Sequence, residues 1–99
     1  MAKFDVYRQK HGGCAVLDCQ ADLLGDLNTR FVVPLLPLED APRPAARLNP
    51  VFGIGEEQLM MATQYAATMT VRELGEKITS LAQEEDAIGA ALDMLISGF

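Results

Sequence analysis

The C-terminal stretch SLAQEEDAIGAALDMLISGF, residues 80–99, differs in pattern from the rest of the chain. Its large apolar residues recur at the spacing of one helical face, and they are Leu81, Ile88, Leu92, Leu95 and Phe99. Ser80 with Gln83 fits a capping box, and the acidic run Glu84-Glu85-Asp86 lies near the positive end of the helix dipole. The stretch predicts a helix over about 81–97.

Short β-favouring runs, separated by turn residues, fill the chain before this helix. They cover residues 4–8, 15–17, 30–33, 51–54, 58–63, 67–71 and 77–79. Pro34 is expected to end the third run or to place it at a sheet edge, and Gly75 is expected to break the chain between the last two. Strands over about 4–79 followed by one helix predict a single domain over 1–99, a small, mainly β, antiparallel, partly closed barrel with the helix packed on it.

Two segments between the strands have the composition of loops. Residues 21–28 mix three leucines with Asp22, Gly25, Asp26 and Asn28, which predicts a structured loop with an exposed leucine pair. Residues 38–50 contain three prolines among charged residues and predict a proline-stiffened loop.

The charge and hydropathy of the chain exclude several function classes. Eight basic against fourteen acidic residues give a net charge of -6, which disfavours direct binding of nucleic acid without sequence preference. The longest apolar run, 31–38, contains two prolines and is far shorter than the ~20 residues of a membrane helix. The first residues lack the apolar stretch of a secretory signal, so a cytoplasmic location is expected.

The residues that usually bind metals or cofactors are few. Cys14 and Cys19 are expected to be free thiols, because five residues of a strand separate their Cα atoms by ~16 Å, beyond the ~7 Å that a disulfide spans. With the single His11 and no Cys-x-x-Cys motif, no metal site is expected. The Gly-x-Gly at 53–55 lacks the third glycine and the following helix of a dinucleotide site, and no cofactor is expected.

Three acids and the chain end leave alternatives open. Asp18, Asp22 and Asp26 are four residues apart, which on a helix would align them for metal binding or acid–base chemistry, whereas a strand followed by a loop would scatter them as turn and capping acids. The latter interpretation is preferred, and no catalytic residue is predicted. The apolar end at Phe99 either anchors in the core or is presented to another protein, as aromatic hot-spot residues are.

Taken in order, motifs along almost the whole chain resemble those of the CcdB family of plasmid-addiction toxins. The motifs are Phe4-Asp5-Val6-Tyr7, Asp18-Cys19-Gln20-Ala21-Asp22-Leu23-Leu24, Arg30-Phe31-Val32-Val33-Pro34-Leu35, Leu48-Asn49-Pro50 with Ile54-Gly55, Met60-Met61-Ala62-Thr63, and the helix that ends in Gly98 and a large apolar residue. The resemblance implies an SH3-like barrel that forms a homodimer. It also implies a plasmid-maintenance toxin that is not an enzyme, binds the A subunit of DNA gyrase, traps gyrase on cleaved DNA and is neutralised by a cognate antitoxin.

The resemblance also implies which residues contact gyrase. They are Ile96, Ser97, Gly98 and Phe99 at the chain end, with Asp93 on the same helix and Ala21, Leu23 and Leu24 on the adjoining loop. The familiar form of this motif has a tryptophan at the position of Ser97, so the contact of a large indole is missing here. Phe99 and Ile96 are expected to restore part of the buried apolar area.

Antitoxins of this family wrap the toxin with a segment that is disordered when free. The resemblance implies antitoxin contacts on two segments, the tip of the first hairpin at residues 9–13 and the proline-rich loop at residues 38–47. The residues are Gln9, Lys10, Pro42 and Arg43. Two other functions stay open. One is an endoribonuclease, because related toxins carry RNA-cleaving residues on this type of barrel, although one histidine and a charge of -6 argue against it. The other is a non-toxic antitoxin-binding module, which Ser97 motivates.

Overall fold

The computed structural model describes residues 1–98, and within them seven strands form one antiparallel sheet that precedes a single α-helix. The strands are β1 (Asp5–Gln9), β2 (Ala15–Asp18), β3 (Thr29–Pro37), β4 (Val51–Ile54), β5 (Glu57–Met61), β6 (Ala67–Thr70) and β7 (Leu74–Ser80), and the helix is α1 (Glu85–Ser97). The spatial order is β4-β5-β3-β2-β1-β7, with β6 also paired to β3. The predicted mainly β, antiparallel, barrel-like fold with one C-terminal helix is confirmed, and the sheet forms a half-barrel.

Alternating residues of the central strands pack into two apolar clusters on opposite faces of the sheet. The larger cluster includes Val6, Leu17 and Val33 and is completed by Ile88 and Ala91 of α1. The smaller cluster contains Tyr7, Val16, Val32 and Leu74. The helix therefore packs on the face that carries the main core.

The expectation that Pro34 ends a strand or lies at an edge is wrong. β3 runs through Pro34, which pairs with Val16 of β2 in the middle of the sheet. On its other side β3 pairs with β6 up to Val32 and with β5 from Leu35 onward. Because Pro34 lies where β3 changes partner, its missing N–H removes no bond from either ladder, and its carbonyl accepts a hydrogen bond from the Ala62 N–H at 2.9 Å.

Gly75 does not break the chain, because β7 continues through it. A Cβ at this position would lie 3.1 Å from the Arg8 carbonyl oxygen, so glycine allows the β1 backbone to approach closely. At the other end of the β1–β7 pair, β1 begins at Asp5 rather than Phe4. Phe4 is buried with a φ of 73°, a left-handed conformation that a regular strand does not contain.

The helix begins later than predicted. A 3-10 turn occupies Ala82–Glu84, and α1 begins at Glu85. The predicted capping box is wrong, since the Ser80 hydroxyl oxygen accepts from the Ala82 N–H at 3.2 Å and the N-cap residue Glu84 makes no side-chain cap. Acidic Glu85 and Asp86 do occupy the first turn.

The buried face of the helix is shorter than the sequence period implies. Ile88 and Ala91 are fully buried and Leu92 is half-buried, whereas Leu95, expected on the same face, is 42% exposed. Phe99, the last residue of the predicted face, lies outside the described residues. The core therefore ends near Leu92, and the final turn of α1 projects beyond it.

The two predicted loops are confirmed. Residues 21–28 are exposed throughout and contain a 3-10 turn at Asp22–Leu24. Residues 38–50 contain a 3-10 turn at Leu38–Asp40 and lack strands. Both cysteines are free thiols, as expected.

Candidate functional site

The last turn of α1 presents apolar side chains to solvent. Met94, Leu95 and Ile96 are 36%, 42% and 76% exposed. Gly98 closes the helix in the left-handed conformation, and its N–H donates to the Met94 carbonyl at 3.1 Å. Of the residues predicted to contact gyrase on this helix, Asp93, Ile96, Ser97 and Gly98 are all exposed, and Phe99 lies outside the described residues.

A second apolar surface lies on loop 21–28. Leu23, Leu24 and Leu27 are 93%, 48% and 50% exposed, and Ala21 is also exposed. Large apolar side chains grouped on one short loop are typical of a surface that contacts another molecule. The sequence predicted that an exposed pair of leucines lies on this loop, and it did not predict the exposure of Leu27.

Gln20 fixes the conformation of this loop. Its backbone N–H donates to Asp18 Oδ1 at 3.0 Å, its Nε2 donates to the Leu24 carbonyl at 3.0 Å, and its Oε1 accepts from the Phe31 N–H at 2.9 Å. Asp22 Oδ1 adds a bond from the Lys3 N–H at 2.8 Å. The leucines are therefore presented on a loop that is bonded to β2, β3 and the N-terminal segment.

Below the loop lies a fully buried ion pair. Asp18 Oδ2 accepts from both Nε and Nη2 of Arg30, at 3.0 and 2.6 Å, and the two side chains are 0% and 1% exposed. Asp18 faces Val32 across the β2–β3 ladder, so Arg30, two residues away, shares its face and lies on the diagonal. Asp18 Oδ1 accepts the Gln20 N–H two residues on, as the interpretation of a turn acid predicts, and the pairing of its Oδ2 with Arg30 is a further role that the sequence did not indicate.

The three evenly spaced acids are not brought together. Asp18 binds Arg30, Asp22 caps the Lys3 amide, and Asp26 is exposed on the loop. Among residues 1–98, no three side chains of His, Cys, Asp or Glu are grouped so as to hold a metal ion. His11 is exposed at the tip of the first hairpin.

The helix end and the leucine loop are supported by different parts of the fold. α1 contacts the 3-10 turn Thr63–Tyr65 and packs on the main core through Ile88 and Ala91. The described hydrogen bonds of the loop connect it to the N-terminal segment, β2 and β3. Each surface therefore has its own rigid support.

The residues predicted to contact an antitoxin have two kinds of environment. Lys10, Pro42 and Arg43 are exposed. Gln9 is half-buried, and its Nε2 donates to the Cys14 carbonyl at 2.7 Å across the first hairpin. Gln9 therefore stabilises the hairpin turn, whereas the other three are available on the surface.

A cleft of about 880 Å³ opens on the concave face of the sheet. Val6, Leu35 and Leu59 of the main core are among the residues that line it, and all three are buried. The charged residues described in its lining are Arg8, Glu56, Glu57 and Glu84. Negative charge therefore predominates in this cleft, and the sequence reasoning missed it because the lining comes from segments distant in the chain.

Two buried groups have strongly raised pKa values. Burial raises the pKa of Tyr7 to about 12, and the nearby Asp5 carboxylate, which accepts from the Tyr7 hydroxyl at 3.2 Å, acts in the same direction. Burial likewise raises the pKa of the Cys19 thiol to about 12, with a contribution from the charge of Asp18. A neutral thiol is a poor nucleophile and metal ligand, so Cys19 is a core residue.

Comparison with known proteins identifies the family. The family model described as CcdB protein matches residues 3–98. This chain belongs to the CcdB family. The match spans both apolar surfaces, the buried Asp18–Arg30 pair and the cleft, so the described site residues all lie within the family domain. Among the described residues, no helix is long and apolar enough to cross a membrane.

Solved structures with the same fold are toxins and endoribonucleases. An endoribonuclease from mycobacterial species has a TM-score of 0.78 at 15% identity, over 97% of this chain and 90% of that one. An endoribonuclease in complex with its cognate antitoxin, also from mycobacterial species, has a TM-score of 0.77 at 16% identity, over 97% and 94%. The toxin MazF-mt6 of Mycobacterium tuberculosis has a TM-score of 0.73 at 17% identity, over 93% and 94%. At these identities the likeness shows the fold alone.

Proposed function

We propose that this chain is the toxin of a toxin–antitoxin pair, that it forms a homodimer, and that it binds the A subunit of DNA gyrase and traps gyrase on cleaved DNA. The observation that carries the proposal is the apolar final turn of α1, where Ile96 is 76% exposed on a helix end closed by Gly98. Membership of the CcdB family supports the choice of gyrase. Grouped apolar side chains on an exposed surface are typical of a site that another molecule covers.

The proposed mechanism is selective binding of one state. A ligand shifts a conformational equilibrium only by its difference in affinity between the two states. The leucine loop is held by hydrogen bonds through Gln20, and α1 packs on the core through Ile88 and Ala91. Surfaces held in this way lose little conformational freedom on binding, so the contact energy is available to favour the cleaved state of gyrase.

The residues of the proposed gyrase contact are Ile96, Ser97, Gly98 and Phe99, with Asp93, Ala21, Leu23 and Leu24. Ser97 is small and exposed. Ile96 and its exposed neighbour Leu95 then supply the apolar contact with gyrase. The antitoxin contact is assigned to Lys10, Pro42 and Arg43, which are exposed.

Expression in bacterial cells tests the proposal. Induction of the full chain should arrest growth with broken chromosomal DNA, and co-expression of the antitoxin should restore growth. Removal of residues 97–99 should abolish the arrest, provided that circular dichroism of the purified truncated protein shows the same fold. Arrest by a folded, truncated protein would contradict the assignment of the gyrase contact. Tight antitoxin binding without any arrest would instead identify a non-toxic binding module.

A second candidate is an endoribonuclease, which the fold of the mycobacterial structures favours. The concave face of this chain lacks the basic character that RNA binding requires, because its charged lining is three glutamates and Arg8. Nε of Arg8 also lies 3.6 Å from Oε1 of Glu76, so this positive charge has a nearby carboxylate. Incubation of purified protein with defined RNA separates the two candidates: the gyrase proposal predicts intact RNA, and specific cleavage would establish the ribonuclease.

A further inference from the structure

The two end strands of the sheet border the acidic cleft. Gly53 and Ile54 of β4 line it on one side, and Ile78, Thr79 and Ser80 of β7 line it on the other. Among residues 1–98, β4 pairs only with β5 and β7 pairs only with β1. Each end strand therefore carries a row of backbone groups without a strand partner in the described fold.

The ladder shows which backbone groups of β4 point outward. β4 and β5 are joined by the two-residue turn at Gly55 and Glu56, with Gly55 at a φ of 62°. The Met61 N–H donates to the Pro50 carbonyl at 2.9 Å, which sets the alternation along this hairpin. The N–H and C=O groups of Val51 and Gly53 thus point away from β5, toward the open edge.

The edge of β4 is short but regular, whereas the edge of β7 is irregular. The pairing of β7 with β1 shifts register between Val6 and Tyr7 and again between Tyr7 and Gln9, and such irregularities hinder the addition of a further strand. β4 pairs in regular register from Val51 to Ile54 and contains no proline, lysine or bulge. Of the two end strands, β4 therefore has the more regular edge for an added strand.

Gly53 lies in β4 although the fold of the single chain does not require a glycine there. Its φ lies outside the left-handed region, and a Cβ would meet only Nε2 of the exposed Gln58 side chain, at 3.2 Å, so a small shift of that side chain would admit it. A glycine within a strand often marks the close approach of another backbone. This observation is independent of the charge of the cleft and points to the same edge.

The charge of the cleft selects the partner. Glu56 and Glu57 lie at the tip of the β4–β5 hairpin, and Glu84 lies in the turn before α1, on the other side. All three are exposed. Three carboxylates around the cleft complement a chain that carries lysine or arginine at alternating positions.

We propose that the cleft binds an extended basic peptide segment, which adds to the sheet as a strand beside β4 while its basic side chains contact Glu56, Glu57 and Glu84. This is strand addition to an open edge, in which the backbone supplies affinity and the alternating side chains supply specificity. The proposal rests on the proposed function in one respect, since the antitoxin is the partner that supplies the segment, and this segment differs from the one that contacts Lys10, Pro42 and Arg43.

The test measures the fluorescence anisotropy of a labelled acetyl-(Lys-Val)4-amide peptide with the full-length protein. We expect saturable binding that weakens with salt and is lost for the matched (Glu-Val)4 peptide. The variant E56K/E57K should bind at least tenfold more weakly. The control D26K/E73K has the same net charge but changes exposed acids outside the described lining of the cleft, and it should bind within about twofold of the unmodified protein.

N-methylated peptides test strand addition itself. Methylation of every second amide blocks one edge of the peptide, so methylation of the lysine amides and methylation of the valine amides should differ at least tenfold in affinity. Equal affinities of the two methylated peptides, or equal losses in E56K/E57K and its control, would overturn the proposal. Absence of peptide binding would also overturn the proposal. This includes the case in which a second copy of the chain occupies the cleft, which sedimentation would reveal. None of these outcomes bears on gyrase trapping, so the two proposals fail separately.

Discussion

The buried Asp18–Arg30 pair is the residue-scale feature on which the neighbouring loop depends. Its two charges are almost completely removed from solvent, and Asp18 also accepts the Gln20 N–H. Breaking such a pair leaves an uncompensated charge, whereas replacing both partners with apolar residues of similar volume is often tolerated. The pair therefore contributes more to the position of loop 21–28 than to net stability.

Removal of one partner tests this account. We expect D18A to lower the free energy of unfolding by about 3–5 kcal/mol, because Arg30 then remains buried without its carboxylate. The double variant D18L/R30M should lower the free energy of unfolding considerably less than D18A does. Urea denaturation followed by circular dichroism measures both, and a D18A protein as stable as the unmodified chain would contradict the account.

Tyr7 makes stability depend on alkaline pH. The pKa of Tyr7 is raised from 10.0 to about 12 in the folded state, so between these values the unfolded chain has lost a proton that the folded chain keeps. The stabilisation is complete below about pH 10 and is lost as the pH rises to about 12. Cys19, whose pKa is raised from 9.0 to about 12, acts in the same direction from about pH 9.

Urea midpoints at pH 8.5 and pH 11 measure the effect of Tyr7. We expect Y7F to lose less stability over this interval than the unmodified protein, because the variant has no phenol to ionise on unfolding. Y65F serves as the matched control, since Tyr65 is 55% exposed, and it should follow the unmodified protein. An identical loss in Y7F and the unmodified protein would show that Tyr7 is not the group responsible.

At the scale of the element, the two halves of α1 have different surroundings. Its first half packs on the core through Ile88 and Ala91, and its last turn exposes Leu95 and Ile96. The hydrophobic period in the sequence predicted the helix but extended its buried face to Leu95. A period shows which residues share a face, and it contains no information about where the underlying sheet ends.

Gly89 is a glycine in this helix that the single chain does not need. A Cβ at Gly89 would meet no atom within 4 Å, so the close approach of the sheet that a glycine in a helix suggests does not occur. G89A should raise the free energy of unfolding by about 0.5–1 kcal/mol, because alanine restricts the unfolded backbone. Thermal denaturation measures the change.

Gly98 gives the matched control for this prediction. G98A places a Cβ at a φ of 79°, so it should bring no gain in stability. A destabilised G89A would indicate that something packs against the helix at this position, and a second copy of the chain is the first occupant to examine by sedimentation.

The local sequence predicted where the strands lie, but it did not predict how they pair. β-Branched runs and turn residues located every strand, yet Pro34 and Gly75 were misinterpreted because their effects depend on neighbouring strands. Pro34 is tolerated where β3 changes partner, and Gly75 is needed where β1 approaches. The exposed leucines and the helix end could be predicted, whereas the Asp18–Arg30 pair and the cleft arise from strand register, which single-residue preferences do not determine.

At the scale of the whole molecule, one curled sheet presents distinct surfaces. The apolar helix end and the leucine loop project from well-supported elements, while the concave face is acidic. Membership of the CcdB family agrees with a toxin, and three of the four charged residues described in the lining of the cleft are glutamates. We therefore propose that gyrase binds the apolar surfaces and that a basic peptide binds the cleft.

The most direct test of this account is trapping of the gyrase cleavage complex. Purified protein is incubated with gyrase, ATP and supercoiled DNA, and linear DNA is measured after protease treatment. We predict linear DNA with the unmodified protein and with L38S, and at least a tenfold reduction with I96S. The two variants make the same kind of change, since Leu38 is 42% exposed on a different loop. No linear DNA from the folded, unmodified protein, or equal trapping by I96S and L38S, would contradict the central claim.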